Sequence, residues 1–312
     1  MTGIFFIMLA CLTWALDTLI RYPLLGLGFS TLQIVLMEHL TLVIVTAPLL
    51  WRYRQQFFQL NVRSWGALFF IGGIGSAIGT LAFTQAFHYL NPTVVILLQK
   101  LQPVVAIVLA SWFLNERIHG YFIRWAGLIL LGSVVMIWPD LRAMFSQSLV
   151  ISKTSMASWY GYGLTLIAVI AWGAATVCGK YLSVQKMDAN AIMSGRFLMG
   201  LVVLVPLALL HTSQLQEMAA KPLLMLILMA LLSGLAGMWF YYQGLNRIPA
   251  QVTTLAEQTF PIFAALINWL FLSMSLSMYQ ILGAVLLIAG NVGLRFKELH
   301  LTEQSSARLT QA

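Results

Sequence analysis

Charge is what this chain has least of. Only 8% of its 312 residues are Asp, Glu, Lys or Arg, against about 25% in soluble domains, so a water-facing surface cannot be coated. Cysteine is nearly absent too. Cys11 and Cys178 both fall within apolar runs, which argues against a disulfide framework or a cysteine-based metal site. The five histidines (His39, His88, His119, His211 and His300) are scattered without ligand spacing, so no metal is expected. His-Glu-x-x-His and Gly-x-Ser-x-Gly are missing, as is any paired acidic motif with ligand spacing, which argues against an integral membrane enzyme. No nucleotide-binding motif is present and no cofactor is expected.

What the chain has in abundance is apolar length. Hydrophobic residues make up 60% of it, and the mean hydropathy is +0.88. Reading for apolar runs of about 20 residues, the length that crosses a bilayer as a helix, gives ten spans. They lie near 3–20, 32–51, 65–88, 93–113, 120–138, 160–182, 189–210, 222–244, 251–272 and 278–296. The expected fold class is an all-α integral membrane protein. The first span carries Asp17 and lacks a basic leader, so it is expected to be a retained helix rather than a secretory signal.

The ten spans divide into five and five. Trp14 and Trp172 lie 158 positions apart (172 − 14), and the same shift pairs Thr18 with Thr176, Pro48 with Pro206, Gly79 with Gly237, Gln85 with Gln243, Pro103 with Pro261 and Phe113 with Phe271. An odd number of spans per copy places the copies in opposite orientations, an inverted repeat of the kind found in transporters. The expected organisation is a first repeat at 1–138, an outer linker at 139–159, a second repeat at 160–296 and a cytoplasmic tail at 297–312. With both termini in the cytoplasm, the inner loops hold Arg52, Arg54, Arg63, Arg117, Arg124, Lys180, Lys186, Arg247, Arg295, Lys297 and Arg308. The outer loops hold Arg21, Arg142, Lys153 and Lys221. That bias sets the orientation. It also accounts for the net charge of +8 through membrane topology and contact with anionic lipid, without nucleic acid.

Residues 90–117 combine a mid-span Pro103, small residues and the corner Leu114-Asn115-Glu116, followed by a span with Gly127 and Gly132. Residues 248–275 repeat the pattern, with Pro261 in place and Met274 where Glu116 stands. Together with Trp14 and Trp172, this resembles EamA-type members of the drug/metabolite transporter superfamily over both halves. The resemblance implies secondary transport of a metabolite in the inner membrane, and efflux more than uptake. The departure at Met274 puts the second corner in doubt.

Candidate site residues are polar groups that a bilayer would otherwise reject. Thr253, Glu257, Pro261, Ala264 and Asn268 share one face of span 9 at helical spacing. Pro261 cannot donate to the carbonyl of Glu257, and Pro103 likewise frees that of Gln99. Glu38 with Lys100 and Arg196 with Glu257 are expected to form opposite-charge pairs, one per half, as glue, gates or both. Asp17 is expected to pair with Arg21 one turn on, near the outer interface. Trp14, Trp172 and Tyr242 are candidates for stacking on substrate, alongside Trp239 and Tyr241. Gln85, Gln99 and Gln243 are candidates for hydrogen bonding to it, and Lys100 and Glu257 for binding its charges.

The expected function is a secondary transporter, an exporter, of a small amphipathic metabolite such as an amino acid, by alternating access. Protons are the candidate coupling ion, at Glu257. The partners are the solute and the lipid bilayer, with the protein a monomer or weak dimer. The alternative is a channel-like or facilitative permease for small polar solutes, distinguished by flux that stays linear in concentration.

Overall fold

Inside a hydrocarbon layer a peptide group finds no water to bond, so an apolar chain satisfies its backbone by coiling into helices. The computed structural model of this chain describes residues 3–90, 95, 98, 99, 101–116, 118–136, 138, 142, 156–272 and 277–293, and no strand occurs among them. Six helices among the described residues are long and apolar enough to cross a membrane. They are α1 (Gly3–Gly26), α2 (Thr31–Arg52), α4 (Val62–Ala86), α7 (Met156–Val184), α8 (Ala189–Leu210) and α9 (Ala220–Leu245). Between and after them lie the short α3 (Arg54–Phe58), α5 (Gln102–Phe113), α6 (Gly120–Met136), α10 (residues 250–272) and α11 (Met278–Gly293). Lys100, Met274 and the tail from 297 lie outside the described residues, as does most of the linker.

Local chemistry sets where the helices start and stop. The side chains of Ser30, Asn61 and Asp188 accept from the amides of Gln33, Ser64 and Asn190, capping α2, α4 and α8. Two long helices carry an internal π segment, Phe70–Ile78 in α4 and Ala230–Gly237 in α9. Such an insertion shifts the helical register and gathers at functional places.

Pro103 and Pro261, read from the sequence as mid-span prolines, each stand where a fresh helical segment begins. Pro103 lies in the first turn of α5, and Pro261 in the first turn of the Phe260–Leu272 segment of α10. A missing N–H costs nothing at a helix start. The break lies just ahead of the proline in α10, at the 3-10 turn Glu257–Thr259. The freed Glu257 carbonyl is not left open: it accepts from the Phe260 amide and, at 3.6 Å, from the Cys11 thiol.

Burial is arranged for lipid. Ile7, Ile71, Ile129, Ile192, Met193 and Phe197 are buried in one cluster, while Ile44, Trp51, Trp112, Leu210, Leu270 and Phe271 stand exposed. An outward apolar surface of this extent belongs to a multi-pass membrane protein. α8 packs against α2 and the π segment of α4, and α1 packs against α9. The closest of these approaches needs glycine: a methyl at Gly72 would run into the backbone carbonyl of Arg196 and come within 2.5 Å of Met199 Cβ.

Backbone cannot swing aside as a side chain does. Gly72→Leu is therefore expected to destabilise the folded protein by about 1–3 kcal/mol or more, read as earlier thermal unfolding in detergent. Gly127→Leu, with nothing within 4 Å of its added carbon, is expected to melt as wild type does. Equal melting of both variants would contradict this packing.

Candidate functional site

A cavity of about 290 Å³ lies between α1, α2, α4, α7, α8, α9 and the broken start of α10, with Gln99 and Gln102 on its wall. Its aromatic walls are built in two matching corners. The indole Nε1 of Trp14 sits 2.8 Å from where a Cβ of Gly237 would be, and its ring lies 5.7 Å from that of Tyr241. The indole Nε1 of Trp172 sits 2.9 Å from the equivalent point of Gly79, and its ring lies 4.9 Å from that of Phe83. Residues 79 and 237, and 83 and 241, are again 158 apart. Each tryptophan therefore rests on a glycine-aromatic pair in the other half of the chain. Tyr241 is held by its hydroxyl, which donates to Thr176 Oγ1 at 2.9 Å.

The charged groups gather differently from the sequence expectation. Asp17 and Arg21 pair as foreseen, at 2.6 Å, but on the cavity wall. Glu38 takes the same guanidinium at 3.1 Å, and its expected partner Lys100 lies outside the described residues. Ser233 Oγ of α9 lies 2.5 Å from Asp17 Oδ1, so α1, α2 and α9 are tied at one point. Among the described residues the ion pairs within 4 Å are these two of Arg21, and Arg196 with Glu257 is not one of them.

Arg196 lines the cavity at 9% exposure, reaches the Tyr242 hydroxyl at 3.4 Å, and leaves Nε without a hydrogen-bond partner among the described residues. Glu257 accepts from Gln102 Nε2 at 2.9 Å. His39, on the same wall, donates from Nδ1 to the Val35 carbonyl at 2.9 Å, and its Nε2 lies 3.0 Å from Ser76 Oγ.

Of the site residues read from the sequence, Trp14, Glu38, Gln99, Trp172, Arg196 and Glu257 line this one cavity. Tyr242 does not: it is fully buried behind the wall as the partner of Arg196, and its neighbour Tyr241 faces the space instead. Gln85 and Gln243 stand apart, and Gln243 accepts from Arg247 one turn on. Sequence reasoning named Arg21 only as the partner of Asp17 and Thr176 only as a repeat position, and it did not place either of them, or His39, Phe83 and Ser233, on a cavity wall. Phe83 carried a signal, since it matches Tyr241 at the same offset as the glycines. Among the described residues no cluster of three His, Cys, Asp or Glu is placed to hold a metal ion.

Comparison with known proteins agrees with this architecture. A profile of the EamA-like transporter family matches residues 1–138 and again residues 159–296. The riboflavin transporter ImpX of Fusobacterium nucleatum subsp. nucleatum is 30% identical over 226 residues, covering 70% of this chain and 73% of that protein. A crystal structure of a further protein shares the fold, with a TM-score of 0.73 at 13% identity, covering 96% of this chain and 97% of the other. The chain belongs to the EamA-like transporter family, and it is a transporter, not an enzyme.

Proposed function

We propose that this protein is a ten-helix secondary carrier of the inner membrane. Two inverted five-helix halves, 1–138 and 160–296, are joined by an outer linker, and both termini are cytoplasmic. The halves rock about a shared cavity that holds a small amphipathic metabolite with a planar ring. The observation that carries this reading is the pair of aromatic corners. Trp14 on Gly237 and Tyr241, and Trp172 on Gly79 and Phe83, face one cavity from opposite halves. A family profile that matches each half separately supports the two-part organisation. A volume of about 290 Å³ is at the small end for ligand sites, which suits a metabolite and not a large drug. The relative that carries riboflavin makes a flavin the first ring to test.

A second reading has its own observation. Arg196 and Glu257 line the same space with opposite charges, as a zwitterion such as an amino acid would need. Quenching of riboflavin fluorescence by the purified protein, with free amino acids as competitors, decides between the two. Saturable quenching that amino acids leave untouched favours the ring. Absence of quenching alongside stabilisation by an amino acid favours the zwitterion.

If the tryptophans hold the ring, Trp14→Ala and Trp172→Ala should each weaken riboflavin binding by a few-fold to about tenfold, since an aromatic contact contributes about 0.5–1.5 kcal/mol beyond its area. Melting temperature in the absence of riboflavin should change little by comparison. Unchanged affinity in both variants would return these residues to a packing role.

Coupling to protons is proposed at Glu257, which sits on the turn that breaks α10 and faces the cavity beside Gln102. In proteoliposomes Glu257→Gln is expected to abolish accumulation driven by a pH gradient while exchange of internal for external substrate continues. Wild-type accumulation by the variant would move the coupling site to Asp17 and Glu38, the two carboxylates that share one guanidinium.

A further inference from the structure

A guanidinium buried against a cavity without a carboxylate partner is an unfinished ion pair. The two cavity arginines differ in this respect. Arg21 is met by three contacts from two carboxylates, two from Asp17 and one from Glu38. Arg196 is 9% exposed, and its contact with the Tyr242 hydroxyl, at 3.4 Å, is beyond the usual range for N–H···O. Its Nε has no partner among the described residues. Leaving a charge buried and unpaired is strongly destabilising, and Arg196 is placed where a solute can supply what is missing. Its place is rigid, because the Arg196 carbonyl is packed against Gly72 in the π segment of α4. The backbone that carries this side chain is therefore fixed at the cavity wall.

We infer that Arg196 is a substrate-recognition residue that binds the acceptor edge of a planar ring: the adjacent carbonyl oxygen and ring nitrogen of a fused heteroaromatic, or the two oxygens of an aromatic carboxylate. Its planar fork of donors matches such an edge as a lysine ammonium does not. Trp14 and Trp172 take the faces of the ring, Arg196 its rim. Charge balance narrows the class further. Asp17, Glu38 and Glu257 line the same cavity, so among the described residues three carboxylates stand against the two guanidiniums. A dianionic phosphate would enter against that excess more strongly than a singly charged carboxylate, and a neutral edge would not meet it. The inference rests on the carrier reading above and names what that site selects.

Three probes and two variants test it. The probes are riboflavin, with a carbonyl edge; indole-3-carboxylate, with a carboxylate on the ring; and phenazine, a tricyclic ring with neither. Binding to the purified protein is read by fluorescence or calorimetry in wild type, Arg196→Gln and Arg196→Lys, with melting temperature read in parallel. Arg196→Gln is expected to lower affinity for the acceptor-edged probe that wild type binds by about tenfold or more, as loss of a charged hydrogen bond does, and to leave phenazine binding unchanged. Arg196→Lys, which keeps the charge but not the fork, should fall between the two and guards against a glutamine variant that does not fold. Riboflavin failing to bind wild type, with indole-3-carboxylate bound through Arg196, would remove the flavin reading and leave this inference standing. Equal losses for all bound probes, no loss for any, or wild type binding only phenazine would overturn it.

Discussion

The seating of each tryptophan on a glycine of the opposite half is the contact on which the rest of this molecule depends. An indole can come within 3 Å of a Cβ position only where the side chain there is a hydrogen, and Gly237 and Gly79 provide that place for Trp14 and Trp172. A larger residue at either glycine would push the indole into the cavity and fill it. The π segments lie at the same two places: one runs up to Gly79 and the other ends at Gly237. Packing and site construction are thus the same event: the residues that join the halves are also the residues that wall the cavity.

Around those contacts the polar groups obey the economy of a low-dielectric interior. Ionisable side chains in a membrane helix survive where they find partners or a wet cavity. Here both solutions appear side by side, with Asp17, Arg21, Glu38 and Ser233 bound to one another and Arg196 left facing the space. Broken backbone follows the same rule: the 3-10 turn in α10 occurs where Glu257 and Gln258 line the cavity. Even the carbonyl that Pro261 releases is taken up, by an amide and a thiol.

Much of this was legible in the chain, and the illegible part has a physical reason. The fixed offset of 158 made Trp14 with Trp172 and Gly79 with Gly237 visible as matching pairs, but not that each tryptophan rests on the glycine of the other pair. Single-helix patterns also carried local facts, such as the Asp17–Arg21 pair one turn apart. What failed was pairing between helices. Arg196 was matched to Glu257 by depth alone, yet no ion pair within 4 Å joins them among the described residues, and depth says nothing of rotation about a helix axis. Tyr242 and Tyr241 were confused for the same reason: adjacent residues on a helix differ by about 100° in direction, enough to move a ring from a cavity wall to the packed core.

The central claim is that two halves alternate around this cavity, and two further mirrored contacts allow it to be measured. Gly3 meets Ile248 at one end of the molecule, with 2.6 Å from a would-be Cβ to the nearest side-chain carbon. Gly161 meets Leu90 in the equivalent contact, at 2.7 Å, and both members are shifted by 158. Cysteine pairs Gly3→Cys with Ile248→Cys and Leu90→Cys with Gly161→Cys, in a background lacking Cys11 and Cys178, place thiols within disulfide reach. Alternating access predicts that either cross-link alone stops transport and that saturating substrate or a pH gradient changes the two cross-linking rates in opposite directions. Continued transport with both cross-links closed, or rates that rise and fall together, would contradict it.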